Sequence, residues 1–219
     1  MTLLLNQAKI SRSNLIRLTE NFSHDFHATW SPDGSKIVFC SERDGNQEIY
    51  VMNSNGSNQT RLTNNPVSDY LPRWSPDGTK ITFASKRDGN YEIFTISPSG
   101  SDLHRLTYDY EENIHPFWSP DGSMITFSSL RDGNWEIYKM NSDGSNQINL
   151  TNNPAVDQYG FWSPDGNWIV FHSDEGGDNE ICIMDPTGQT KIQLTNNHYH
   201  DHYPSWPPVN ILTSIKNEN

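Results

Sequence analysis

Trp30-Ser31-Pro32-Asp33-Gly34 returns, residue for residue, at Trp74–Gly78, Trp118–Gly122 and Trp162–Gly166, and a decayed copy starts at Trp206. Successive tryptophans stand 44 residues apart throughout. A fixed period of this size marks a propeller or a solenoid rather than a domain with one irregular core. In the same frame Leu18-Thr19, Leu62-Thr63, Leu106-Thr107, Leu150-Thr151 and Leu194-Thr195 fall at one position without an insertion. Repeats this regular point to duplication.

One unit, Asp69 to Thr107, reads as four short strands. The first ends at Trp74. Pro76-Asp77-Gly78 then turns the chain, with proline presetting φ and glycine supplying a positive φ. Lys80 to Ala84 alternates in strand fashion, Asp88-Gly89-Asn90 makes a hairpin, and Tyr91 to Ile96 is the third strand. Ser97-Pro98-Ser99-Gly100 leads into the fourth, around Leu103 to Thr107. Four antiparallel strands per unit make a propeller blade.

The ends fit the frame only in part. Leu3 to Ala8 and Asn14 to Thr19 align with third and fourth strands, whereas Tyr203 to Trp206 and Ile211 to Ile215 align with first and second ones. The reading is therefore one all-β domain over residues 1–219, a five-bladed β-propeller with units 20–63, 64–107, 108–151 and 152–195. A composite blade from 1–19 and 200–219 closes the ring and leaves no open sheet edge. Closure implies a monomer. Pro207-Pro208-Val209-Asn210 replaces the usual turn, and failure there implies an oligomer or part of a larger ring.

The chain is 33% hydrophobic, but 11% is aromatic, and large rings bury much area between stacked sheets. A formal charge of -12 opposes binding to phosphate backbones, so nucleic acid and anionic membranes are not expected partners. Cys40 and Cys182 lie in apolar runs of different repeats and read as buried free thiols. Met1 to Leu5 is too short an apolar run for a signal peptide or a span. The expected compartment is cytoplasmic as the sequence is read, and periplasmic or secreted if a leader has been removed.

The Trp-Ser-Pro-Asp-Gly blocks, the copies of Ser41-Glu42-Arg43-Asp44-Gly45-Asn46-Gln47-Glu48-Ile49-Tyr50, and Arg61-Leu62-Thr63 together resemble the TolB-like family of WD40-like (PD40) propeller repeats. The resemblance spans almost the whole sequence. It implies a propeller, and for function it implies several classes: protein-binding adaptors, the propellers of certain serine peptidases, and a metal-dependent lyase. Fold alone does not choose among them. The fourth unit departs, with Asp174-Glu175-Gly176-Gly177-Asp178-Asn179 where the others have Arg-Asp-Gly-Asn.

First strands are expected to line a central channel. Five residues before each tryptophan stand Asp25, Asp69, Asn113, Asp157 and Asp201, a ring of oxygens suited to a hard cation such as calcium. The alternative is that each Asp caps a loop. His24, His27, His198, His200 and His202 also precede a tryptophan, and ring closure would bring them together as ligands for a transition metal. Here the alternative is a set of polar channel or loop histidines. Arg43, Arg87 and Arg131, with Glu48, Glu92 and Glu136, are expected to pair charges across hairpins or between blades. No Gly-x-Ser-x-Gly elbow or phosphate-binding glycine motif is read.

The expected function is a non-enzymatic module that binds a protein or peptide at the channel mouth. The acidic ring would hold a cationic or polar end, and aromatics such as Tyr70, Tyr159 and Tyr199 would hold an apolar part. A metal-dependent enzyme using the histidine cluster, and a structural repeat protein with no dedicated ligand, are the alternatives.

Overall fold

The computed structural model describes residues 15–206. These form four antiparallel sheets of four strands, each a simple up-and-down meander. Blade 1 is β1 (Asp25–Trp30), β2 (Lys36–Ser41), β3 (Glu48–Asn53) and β4 (Thr60–Arg61). Blade 2 is β5 (Asp69–Trp74), β6 (Ile81–Ser85), β7 (Glu92–Ile96) and β8 (His104–Arg105). Blade 3 is β9 (Asn113–Trp118), β10 (Met124–Ser129), β11 (Glu136–Asn141) and β12 (Ile148–Asn149). Blade 4 is β13 (Asp157–Trp162), β14 (Ile169–Ser173), β15 (Glu180–Met184) and β16 (Lys191–Gln193).

The repeated pentapeptide makes the turn from first to second strand. In blade 1 the Gly34 N–H donates to Ser31 O at 2.9 Å, with Gly34 at φ 69°. The Ser31 hydroxyl donates to Asp33 at 2.6 Å and accepts the Lys36 N–H at 2.9 Å. The second strands that follow are buried almost throughout, and adjacent sheets pack on one another, β2 against β5, β6 against β9 and β10 against β13. Phe39, Phe83, Phe127 and Phe171 stand at one repeat position and are at most 2% exposed. Trp74, Trp118 and Trp162 pack against the clusters between blades.

The first strands form the inner edge. β1 touches β5, β5 touches β9 and β9 touches β13, while β5, β9 and β13 also pack on the sheet of the preceding blade. Every one of them carries a bulge three residues before its tryptophan, where two residues oppose one on the partner strand. The bulged residues His27, Leu71, His115 and Tyr159 adopt φ between 54° and 62°, a region that residues with a Cβ rarely occupy.

Segments at both ends continue the pattern. Leu18 O accepts the Gln59 amide at 3.0 Å, as Leu106 O accepts the Gln147 amide at 3.1 Å, so Leu18 stands in a fourth-strand place before blade 1. The Asp201 N–H donates to Asn179 O at 2.7 Å, as the Asp69 N–H does to Gln47 O at 2.8 Å, and Tyr203 repeats the positive φ at 54°. Residues 201–206 thus follow a first-strand path, although they pair with no second strand among the described residues. The expected strands at 3–8 and 211–215, and the Pro207–Asn210 turn, lie outside the described residues.

Candidate functional site

The bulge decides what faces inward. It places two tiers of side chains on the converging first strands: His27, Leu71, His115, Tyr159 and Tyr203 three residues before tryptophan, and Thr29, Arg73, Phe117, Phe161 and Ser205 immediately before it. Members of a tier meet across blades. The His115 and Tyr159 rings stack at 3.8 Å, and Tyr159 meets Tyr203 at 5.0 Å. Phe117 lies 3.9 Å from Phe161, and the Arg73 guanidinium stands 5.1 Å over the Phe117 ring.

The electrostatics of this lining rest on Arg73. Among the described residues its guanidinium forms no ion pair and donates one hydrogen bond, to Pro72 O at 3.3 Å. Burial pushes its pKa down, but a guanidinium stays charged at neutral pH. Burial, and then the charge of Arg73, hold His115 at a pKa of about 3 and lower that of His27. Both imidazoles are therefore neutral at pH 7. The His115 Nδ1 is buried without a hydrogen-bond partner among the described residues.

The carboxylates expected at the mouth do something else. Asp69, Asn113 and Asp157 are fully buried, and Asp25 and Asp201 are half-buried. Each is clamped by the residue four positions earlier: Asn21 to Asp25 at 2.7 Å, Asn65 to Asp69 at 2.6 Å, Asn153 to Asp157 at 2.7 Å and Asn197 to Asp201 at 2.7 Å. In blade 3 the pair is reversed, and the Asn113 amide donates to Asp109 at 3.1 Å. The side chains thus tie the link between blades to the start of each first strand. This is the loop-capping arrangement that was the alternative to a ligand-facing ring.

The hairpin arginines complete that clamp within their own blades. Arg43 reaches Asp25 at 3.3 Å, Arg87 reaches Asp69 at 2.9 Å, and Arg131 reaches Asp109 at 2.6 Å and Asn113 at 3.0 Å. The buried Glu48 and Glu92 take Arg61 and Arg105, each at 2.8 Å. Charge pairing is thus how these loops are built.

The histidines divide into two groups. His24 is exposed, with Glu42 at 4.0 Å, and His27 lies on the inner strand beside Tyr70. At the other end the His200 Nδ1 accepts the Asn179 N–H at 3.1 Å, His202 lies 5.2 Å from His172, and His198 is exposed. Among the described residues no group of three or more His, Cys, Asp or Glu side chains is arranged to hold a metal ion. Tyr70 also departs from its expected exposure, because it packs against the core clusters on both sides of blade 2, with the Tyr91 ring at 4.7 Å. Tyr159 does join the inner lining, and Tyr199 is exposed. The sequence reading missed Arg73 and Phe117, whose signal was their difference from other repeats at a fixed position.

Four-stranded blades stacked with their first strands converging define a β-propeller of the repeat type. Residues 63–217 match the model of the TolB beta propeller domain (PD40), and the chain belongs to that family. Among solved structures it is similar to a TolB protein from Agrobacterium tumefaciens, with a TM-score of 0.70 and 29% identity over 76% of this chain and 63% of that one. It is also similar to TolB from Acinetobacter baumannii, with a TM-score of 0.70 and 24% identity over 84% of this chain and 47% of that one. A puromycin-hydrolyzing peptidase from Mycobacterium tuberculosis shares the fold, with a TM-score of 0.67 and 17% identity over 81% of this chain and 31% of that one. The chain spans less than two thirds of the length of each of these proteins.

Proposed function

We propose that this propeller is a non-enzymatic binding module that takes a segment of a protein or peptide at the inner mouth of its first strands. One observation carries the reading: positions that build the blades are repeated, whereas the two inner tiers vary from blade to blade. Phenylalanine recurs at 39, 83, 127 and 171, but the residue before tryptophan runs Thr29, Arg73, Phe117, Phe161. Scaffold positions are constrained by packing. Positions free to vary on a rigid scaffold are where recognition is built.

The lining also sets the ligand's chemistry. A guanidinium without a counter-charge favours carboxylate or carbonyl oxygens, and the neighbouring Phe117, Phe161 and Tyr159 rings offer apolar surface. The preferred segment is accordingly apolar or aromatic with an acidic side chain or a free carboxyl end, rather than cationic. Panning a displayed random-peptide library on the full chain tests this. The expected result is an enriched apolar–acidic consensus that binds the Arg73→Gln variant at least about ten-fold more weakly, the loss of one charge-assisted pair. Absence of any consensus, or a consensus indifferent to Arg73→Gln, would overturn the reading.

A further inference from the structure

Blades 1 to 3 each hold one half-buried arginine in the same setting. The Nε atoms of Arg43, Arg87 and Arg131 donate to the serine that ends the second strand, at 2.7, 2.8 and 2.8 Å. A terminal nitrogen reaches the first-strand Asp25, Asp69 or Asn113. The guanidinium stands over a third-strand ring, 4.5 Å from Tyr50, 4.7 Å from Phe94 and 4.3 Å from Tyr138. In blade 4 the arginine position is Glu175 and the ring position is Cys182.

The setting persists without its arginine. A cavity of about 310 Å³ is bordered by Asp157, Ser173, Phe171 and Cys182, the counterparts of the groups that hold the other guanidiniums, together with Glu175 and Glu180. Asp157 is 0% exposed, and its Oδ1 has no hydrogen-bond partner among the described residues. Asp69 has the same bare oxygen, but Arg87 balances its charge at 2.9 Å. Asp157 forms no ion pair among the described residues. Lys191 also borders the cavity, with its ammonium directed to Thr151 O at 2.5 Å.

We propose that this cavity in blade 4 is a binding site for a guanidinium group carried on an apolar stem, as in agmatine or an arginine side chain. The three filled blades supply the template. By the template of Asp69, the planar donor fork meets Asp157 Oδ2 and Ser173 Oγ, and the stem and cation face lie on Phe171. A guanidinium suits this pair of acceptors better than an ammonium, because its donors diverge in a fixed plane. The site contains none of the inner-tier residues and stands independently of the channel.

Calorimetric titration of the full chain with agmatine, with an acetylated and amidated arginine peptide, and with cadaverine tests the proposal. Reaction of the half-buried Cys182 with a thiol reagent reports occupancy locally, with the buried Cys40 as internal control. Agmatine is expected to bind and to slow Cys182 labelling, and cadaverine to bind at least about ten-fold more weakly for want of the paired donors. Binding of the peptide as well assigns the site to arginine side chains of a polypeptide. Binding of agmatine alone assigns it to a small free guanidine. Glu175→Arg restores the arginine of the other blades and is expected to abolish binding, and Asp157→Asn to weaken it at least about ten-fold. Should Glu175→Arg fail to fold, Asp157→Asn carries the test. Absence of agmatine binding, equal binding of cadaverine, unchanged Cys182 labelling at saturation, or unchanged affinity in Asp157→Asn would overturn the proposal.

Discussion

Replacing Asp157 by asparagine should stabilise the unliganded protein at neutral pH. The carboxylate is fully buried, accepts one hydrogen bond from Asn153 at 2.7 Å, and has a bare Oδ1. Burial raises its pKa above the ordinary 3.8, and the nearby Glu136 adds to the effect. Blade 3 shows what asparagine does in this position: the Asn113 amide donates to Glu92 Oε2 at 2.9 Å. By the repeat, an asparagine at 157 donates to Glu136. Relieving an unsatisfied buried acceptor is worth roughly 1–3 kcal/mol and a new hydrogen bond about 1, against about 1 lost from the charge-assisted bond to Asn153. The net gain is about 1–3 kcal/mol at pH 7.

The pH dependence gives this a sign. Because the folded pKa of Asp157 lies above the unfolded one, the folded state holds the extra proton between the two values. Its contribution to stability therefore falls as pH rises through that window and is unpenalised below 3.8. Urea unfolding followed by tryptophan fluorescence should show the variant more stable at pH 7, by a margin that shrinks as pH approaches 4, with an unchanged m value. A margin independent of pH, or a variant less stable at pH 7, would refute the reasoning.

Two other outcomes follow from the blade geometry. Gly188 has φ 74°, and a Cβ there would meet Leu150 O at 2.3 Å, whereas Gly34, with φ 69°, has open space around the same position. Gly34→Ala should cost about 1–2 kcal/mol from backbone strain alone, and Gly188→Ala clearly more in the same urea assay. Second, the Asn46, Asn90 and Asn134 amides each donate to two backbone carbonyls in the link to the next blade, such as Asn65 O at 3.0 Å and Val67 O at 2.7 Å, but Asp178 takes this place in blade 4 and cannot donate. Amide hydrogen exchange at Asp201 should accordingly be faster than at Asp69 or Asn113, and Asp178→Asn should slow it about five-fold per hydrogen bond gained. Equal protection of all three amides would contradict this.

The elements legible in the sequence were those fixed by local chemistry. Pro-Asp-Gly forces a turn wherever it occurs, so β1 ends at Trp30, and the second and third strands of each blade fall within a residue or two of their expected limits. The inner bulge was not legible. His27, Leu71, His115 and Tyr159 share a positive φ but no chemical character, because stacking against neighbouring strands imposes the conformation. Once the bulge is in place, the inward position moves from five residues before tryptophan to three and one. The recurring aspartates were read either as a ring of ligands or as loop caps. The reciprocal pair Asp109 and Asn113, against Asn and Asp in the other repeats, was in the sequence and marks them as clamps. The histidines were grouped by an assumed closure, and the strands that would join them lie outside the described residues.

The two sites differ in how duplication produced them. Identical copies of a blade place the same side chains around the axis, and a ring of like residues repeats one chemistry at every blade. An asymmetric ligand needs unlike neighbours. Arg73 beside Phe117 and Phe161 supplies that asymmetry on the inner strands, where no hydrogen-bond clamp of the scaffold is disturbed by the change. Blade 4 departs in the opposite manner: a clamp residue is itself missing, at Glu175, and the buried acceptors it served remain. A substitution on the inner tier adds a recognition group at little cost to folding. The loss of a clamp exposes a demand that the fold had met internally, and in a strictly repeated chain the intact blades specify what would meet it.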